Sequence, residues 1–222
     1  MSQKLSVREL AEFVCRSGDL YSRAEGRRID ALDGIRAQEV LRERRKNKYT
    51  QYSSEVAFKH DFTLANEETT LSGRADGLLI TQKGCVLEEY KACGKFPVQP
   101  NQVDVGQLMI YGAMLAMRSE LSIASLKLIY VQADTFEEKC FSYEFDNSEL
   151  KQILAFMLLC FDLRRRRHWH RTAERHSWLA HKKFPYPDFR FGQRALAGRV
   201  YEAVENGERL LIESPTGSGK TM

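Results

Sequence analysis

The chain has 222 residues, 43% hydrophobic and 29% charged, with a formal net charge of +4. That is enough for one good core and part of another, in a composition typical of soluble globular chains. The longest strongly apolar run, residues 153–161, is too short to span a bilayer, and the N-terminus has no signal-peptide core. The five cysteines (Cys15, Cys85, Cys93, Cys140, Cys160) form no CxxC pair, which disfavours zinc ribbons and clustered iron–sulfur ligation. They read as buried thiols in a reducing, cytoplasmic compartment.

Residues 6–17 predict a helix. Ser6 and Glu9 fit a capping box, and Val7, Leu10, Ala11 and Val14 form its apolar stripe. A second helix is expected over residues 30–46, with Ala31, Ile35, Gln38 and Leu41 near one face. From Glu55 the period changes to two: Val56, Phe58, His60 and Phe62 alternate with Ala57, Lys59 and Asp61, as in a strand with one buried face. "LANEET" reads as a turn. The stretch "GRADGLLITQKGCVLEEYKACG" then reads as two strands joined by a small turn. Residues 104–118 predict a buried helix, and residues 126–131 and 140–145 two further strands. Asn147 or Ser148 can cap a long helix with Leu150, Ile153, Leu154, Met157, Leu158 and Phe161 inside. Two prolines in "FPYPDF" stop it. A last helix over residues 192–205, with Leu196, Val200, Tyr201 and Val204 inside, leads to a buried strand "RLLIE". The order is α-α-β-β-β-α-β-β-α, followed by the start of a second domain.

The two strands of the long quotation carry charge where a core strand should not. If their turn is centred between Gln82 and Lys83, Asp76 falls opposite Glu89 on one face, with Lys91 two residues on. Two facing carboxylates repel unless something neutralises them. Lys91 is one candidate and a divalent cation another. Hard oxygen ligands suit Mg²⁺ or Mn²⁺. Gly73 and Gly77 leave room for a bulky substrate. The chemistry that fits is metal-assisted hydrolysis of a phosphodiester, with Lys91 orienting water or offsetting charge on the phosphate. Glu88 and Tyr90 point to the other face.

This "ADG…EEYK" pattern resembles the PD-(D/E)XK nuclease superfamily, whose signature is an acid on one strand and E-x-K on the next. The resemblance covers about residues 1–160. It implies an α/β, restriction-endonuclease-like fold with a mixed central sheet flanked by helices, and Mg²⁺ or Mn²⁺ held by Asp76 and Glu89. Within the superfamily the chain looks closest to the RecB-like branch. That branch adds Q-x-x-x-Y on the next helix, and "GQLMIY" supplies Gln107 and Tyr111, which share a helical face. The branch also implies a metal-ligating His in a G-x-x-x-H setting, and the backbone carbonyl of Tyr90 as a further ligand. Here Gly34 is followed by Gln38, a weaker ligand than imidazole. His60 lies within a strand and reads as structural. The four-cysteine cluster of some RecB-like nucleases is not matched.

The charge is unevenly spread. Residues 164–183 hold eight Lys/Arg (Arg164, Arg165, Arg166, Arg167, Arg171, Arg175, Lys182, Lys183) against one acid, Glu174, so this segment is +7 and the rest sums to −3. Such a stretch suits contact with backbone phosphates. Beyond it, "ESPTGSGKT" resembles the phosphate-binding loop of Rad3/DinG-like superfamily 2 helicases, and "FRFGQ" their Q motif. The resemblance implies that Gln193 reads adenine and that Thr216, Gly217, Ser218, Gly219, Lys220 and Thr221 hold ATP phosphates and Mg²⁺. The expected organisation is a nuclease domain (1–160), a basic helical linker (161–183) and the truncated start of a helicase (184–222). On this reading ATP serves only the intact parent protein, and this chain alone neither hydrolyses ATP nor unwinds DNA. The expected partners are DNA, single-stranded or end-containing, and a helicase domain in cis. The rival reading is an inactive nuclease-fold module that binds DNA or a partner.

Overall fold

The computed structural model describes residues 3–17, 30–64, 67–118, 122–181 and 187–213. The chain divides into two compact units, Met1–His170 and Arg171–Met222. The first unit is an α/β structure with a mixed sheet flanked by helices. Its elements are β1 (Gln3–Ser6), α1 (Val7–Cys15), α2 (Ala31–Lys48), β2 (Tyr52–Leu64), β3 (Glu67–Thr81), β4 (Gly84–Cys93), α3 (Gln102–Arg118), β5 (Ile123–Gln132), β6 (Glu138–Tyr143) and most of α4 (Asn147–His181). Among the described residues, no helix is long and apolar enough to cross a membrane.

β3 organises the sheet. β2 runs antiparallel along one of its edges, from Tyr52↔Leu79 to Leu64↔Glu67. Two strands share the other edge: β1 pairs in parallel over Thr69–Ser72, and β4 pairs antiparallel over Gly77–Thr81. Residues 73–76 of β3 therefore lack a strand partner on that side. β5 follows β4 in parallel and β6 closes the sheet antiparallel to β5. The β3–β4 register fits the expected turn, since Thr81 pairs with Gly84 and Gly77 with Glu88.

Both faces are covered. α1, α3 and α4 bury Leu10, Leu108, Met114, Leu154 and Phe161 with Leu71, Leu87 and Leu128 of the sheet. α2 covers the opposite face through Ala37 and Leu41 on Tyr90, Ile129 and Val131. Each fully buried Leu of this kind contributes about 1.5–3 kcal/mol. Ser6 caps α1 by accepting the Glu9 N–H at 3.0 Å, as its spacing implied.

Several expectations need correction. The first element of the described residues is a strand, β1, that its short QKLS sequence does not announce. β3 begins at Glu67, so part of "LANEET" is strand. The α4 cap is Asp146, whose Oδ1 accepts the N–H groups of Ser148 and Glu149 at 2.7 and 2.8 Å, instead of Asn147 or Ser148. Ile35 is exposed, because α2 turns Ala37 and Leu41 inward. Of the five free thiols only Cys85 is buried, and Cys140 is exposed.

In the second unit, α5 (Gln193–Glu205) forms where expected, but Ala203 is its buried residue and Val200, Tyr201 and Val204 are exposed. "RLLIE" is unpaired and exposed instead of a buried strand. A buried strand needs neighbours for its N–H and C=O groups, and none of the described residues of this unit forms one. Residues 214–222, including Thr216 to Thr221, lie outside the described residues, as do Lys182 and Lys183.

Candidate functional site

The gap along β3 is where charged groups from both faces of the sheet meet. Beyond Gly77↔Glu88 the two strands part. The Asp76 side chain fills the opening, its Oδ2 accepting the Tyr90 N–H at 2.8 Å. From the α2 side, Arg42 Nη2 donates to Asp76 Oδ1 at 2.7 Å, and the Gln38 amide donates to the Tyr90 carbonyl at 3.1 Å. From the α3 side, the Lys91 ammonium donates to Glu89 Oε1 at 2.9 Å and to Gln107 Oε1 at 3.0 Å, with Asp104 at 3.8 Å. Asp76, Glu89, Lys91, Gln107, Gln38 and Tyr90 thus lie in one cluster. Arg42 and Asp104 are members that sequence reasoning missed. Their signals were spacing: Arg42 is four residues after Gln38, and Asp104 three before Gln107.

Tyr111 joins this cluster, beside Gln107 and close enough to feel Glu89 and Lys91. Its hydroxyl accepts the Arg74 N–H at 3.0 Å, taking the place of the missing strand at residues 73–76. The two glycines serve tyrosines and do not open space for substrate. A Cβ at Gly73 would stand 2.6 Å from the Tyr111 hydroxyl and 2.9 Å from Val7, and one at Gly77 would stand 2.6 Å from the Tyr52 hydroxyl. Gly73→Ala is therefore expected to lower stability by about 1–3 kcal/mol through overpacking. Thermal unfolding checks this, and an unchanged midpoint would contradict the tight contact.

The electrostatics are unusual for a sheet. Glu89 is 3% exposed, and its Oε2 is buried with no hydrogen-bond partner. Burial pushes Glu89 up to about 7, against the pull of Lys91 and with a further push from Asp76. Burial alone would lower the Lys91 ammonium, but Glu89 and Asp104 outweigh it and hold its pKa above the ordinary value. Because the folded pKa of Glu89 is raised, its contribution favours folding most below its ordinary 4.5. That contribution is lost as pH rises through about 7. In EDTA, stability should fall between about pH 5 and pH 8 by at most about 3 kcal/mol, and Glu89→Gln should flatten the profile. Urea titrations at several pH values measure it; equal slopes for wild type and Glu89→Gln would contradict the assignment.

Which group suits this set of donors? The available ligands are oxygens: the Asp76 and Glu89 carboxylates, the Tyr90 carbonyl and the Gln38 amide. Such a set matches Mg²⁺ or Mn²⁺. The unpartnered Glu89 Oε2 is a buried acceptor that a hard cation would satisfy. The described residues contain no cluster of three or more His, Cys, Asp or Glu side chains suited to a metal, so carbonyl, amide and water oxygens would complete the shell. The His60 ring lies 4.6 Å from that of Phe62, tilted by 47°.

Beneath the site, α2 is anchored by a second polar network. Arg45 donates to Glu88 at 3.2 Å and to Glu138 at 2.5 Å, and the Tyr90 hydroxyl donates to Glu88 at 2.7 Å. Within the basic stretch, Arg165 is half-buried, pairing with Glu67 at 3.0 Å, and Arg166 pairs with Asp162 at 2.7 Å. The Arg164 guanidinium lies over Phe13, while Arg164, Arg167, Arg171 and Arg175 are exposed. Gln193 Oε1 accepts the Arg190 N–H at 2.9 Å, at the start of α5.

No family model matches the chain. Over 41 residues it is 44% identical to the probable ATP-dependent helicase MJ0942 of Methanocaldococcus jannaschii. That match covers 18% of this chain and 6% of the relative, so the chain spans a small part of that protein. The solved structure of SSO0001 superposes with a TM-score of 0.47 at 16% identity, covering 72% of this chain and 77% of the other.

Proposed function

We propose that residues 1–160 are a metal-dependent DNA nuclease domain, the N-terminal part of a nuclease–helicase fusion. The observation that carries the reading is Glu89 Oε2, a buried carboxylate oxygen without a partner, beside Asp76 and a lysine held in place. Asp76, Glu89 and the Tyr90 carbonyl would hold Mg²⁺ or Mn²⁺, with Gln38 as a weaker ligand. When bound, the cation would polarise a phosphodiester and lower the pKa of a water molecule. Gln107 and Glu89 fix the Lys91 ammonium, which stays charged and offsets negative charge developing on the phosphate. Tyr111 braces β3 beneath Asp76. The exposed arginines of α4 bind backbone phosphates without reading sequence. The helicase connection draws on the "ESPTGSGKT" motif and the short helicase match.

The test is cleavage of end-labelled single-stranded and duplex DNA in Mg²⁺, Mn²⁺ or EDTA. Cleavage is expected with either cation, absent in EDTA, and lost in Asp76→Asn. One observation favours a second reading. Both Asp76 oxygens are already engaged, by Arg42 and by the Tyr90 N–H. On that reading the domain binds DNA or a partner without cutting. DNA binding with no cleavage in both cations would favour it over the nuclease.

A further inference from the structure

Arg42 places a positive charge where the proposed cation would bind. Its Nη2 lies 2.7 Å from Asp76 Oδ1 and its Nη1 lies 3.3 Å from Glu55 Oε1. The hold is incomplete, because Arg42 Nε is buried with no hydrogen-bond partner. Arg45, one turn further along α2, shows the contrast. Its Nε donates to Glu88, and both terminal nitrogens reach Glu138. A guanidinium that serves only structure is expected to satisfy its buried donors, as Arg45 does.

Glu55 is the second unusual feature. It has φ 53°, the left-handed region that a non-glycine residue seldom adopts. It interrupts the β2–β3 pairing between Ser54↔Gly77 and Val56↔Ala75, directly across from Asp76. Its carboxylate reaches both Arg42 and Arg74, at 3.3 and 3.5 Å, and is more open to solvent than that of Asp76. Arg42 therefore has two anions beside it. If Asp76 is taken by another cation, Glu55 still partners the guanidinium.

We propose that Arg42 is a built-in competitor for the divalent cation at Asp76, and that a DNA phosphate relieves the competition by drawing the guanidinium away. This rests on the proposed cation site and adds to it a coupling between substrate and metal. Two cations on one carboxylate repel at close range. Phosphate is an anion that a planar guanidinium binds through paired N–H donors. Free protein then holds the metal weakly, and DNA and metal each strengthen the binding of the other by the same factor.

The test is Mn²⁺ binding to the full chain, read from the free-ion electron paramagnetic resonance signal. Arg42→Gln should bind Mn²⁺ at least about tenfold more tightly than wild type, about 1.4 kcal/mol. A phosphorothioate oligonucleotide that resists cleavage, corrected for its own Mn²⁺ uptake, should tighten binding in wild type and not in Arg42→Gln. Glu55→Gln should weaken binding in wild type and leave Arg42→Gln unchanged; should Arg42→Gln fold poorly, the weakening in the Glu55→Gln single variant tests the idea, and unchanged binding there would overturn it. Asp76→Asn should abolish binding. If Asp76→Asn loses Mn²⁺ while Arg42→Gln binds no better than wild type, the competition is wrong and the cation site stands. If neither wild type nor Arg42→Gln binds Mn²⁺, the cation site itself fails and the competition with it.

Discussion

Lys91→Ala should reduce Mg²⁺-dependent DNA cleavage by about 10²–10³-fold, the loss typical of removing one preorganised charge-stabilising donor. The ammonium is held from two sides, by Glu89 and by Gln107, so it is aimed before any substrate arrives. Its removal has a second consequence. Glu89 loses the ammonium that partners it and still faces Asp76 and Asp104, so its carboxyl should be pushed further toward the neutral form. The variant should therefore stay folded, with Glu89 protonated and cleavage reduced. Circular dichroism and single-turnover cleavage separate the two effects. A folded Lys91→Ala protein that cleaves at the wild-type rate would remove Lys91 from the chemistry. Gln107→Ala should cause a smaller loss, because it frees the lysine without removing it.

Arg45→Ala should destabilise the fold by about 3–5 kcal/mol, the largest effect expected away from the cluster. Arg45 lies between Glu88, whose side chain is 4% exposed, and Glu138. Truncation leaves Glu88 buried beside the Tyr90 hydroxyl without its ion-pair partner. It also cuts the main polar anchor of α2, a helix that buries only Ala37 and Leu41. Since α2 delivers Gln38 and Arg42 to the site, activity should fall together with stability. Arg45→Met, which keeps much of the stem, should lose less only if packing and not charge pairing dominates. Urea titration of the two variants decides it, and a loss below about 1 kcal/mol for Arg45→Ala would show that the network is not holding α2.

Some of this was legible in the sequence. The alternation in residues 55–62 and the small turn at Gln82–Lys83 carry β2, β3, β4 and their register, because a period of two leaves one face for burial. Register brought Asp76 near Glu89 and Lys91, and helical spacing brought Gln107 to the same lysine. Other features were hidden because they depend on distant parts of the chain. The parting of β3 and β4 follows from β1, four residues too short to announce themselves, occupying the same strand edge. Gly73 and Gly77 looked like space for substrate, and their true neighbours, Tyr111 and Tyr52, are 38 and 25 positions away. α2 carries mostly charged residues, so no apolar stripe revealed that its inner face is polar. "RLLIE" shows the reverse error: an apolar run is a buried strand only where other strands are present to pair with it.

The most direct measurement is a crystal soaked in MnCl₂ with anomalous data collected at the manganese edge. One strong peak is expected between Asp76 and Glu89 Oε2, within ligand distance of the Tyr90 carbonyl, with the Arg42 guanidinium moved off Asp76 toward Glu55. A map at saturating Mn²⁺ with no peak at this position, and with Arg42 still paired to Asp76, would contradict it.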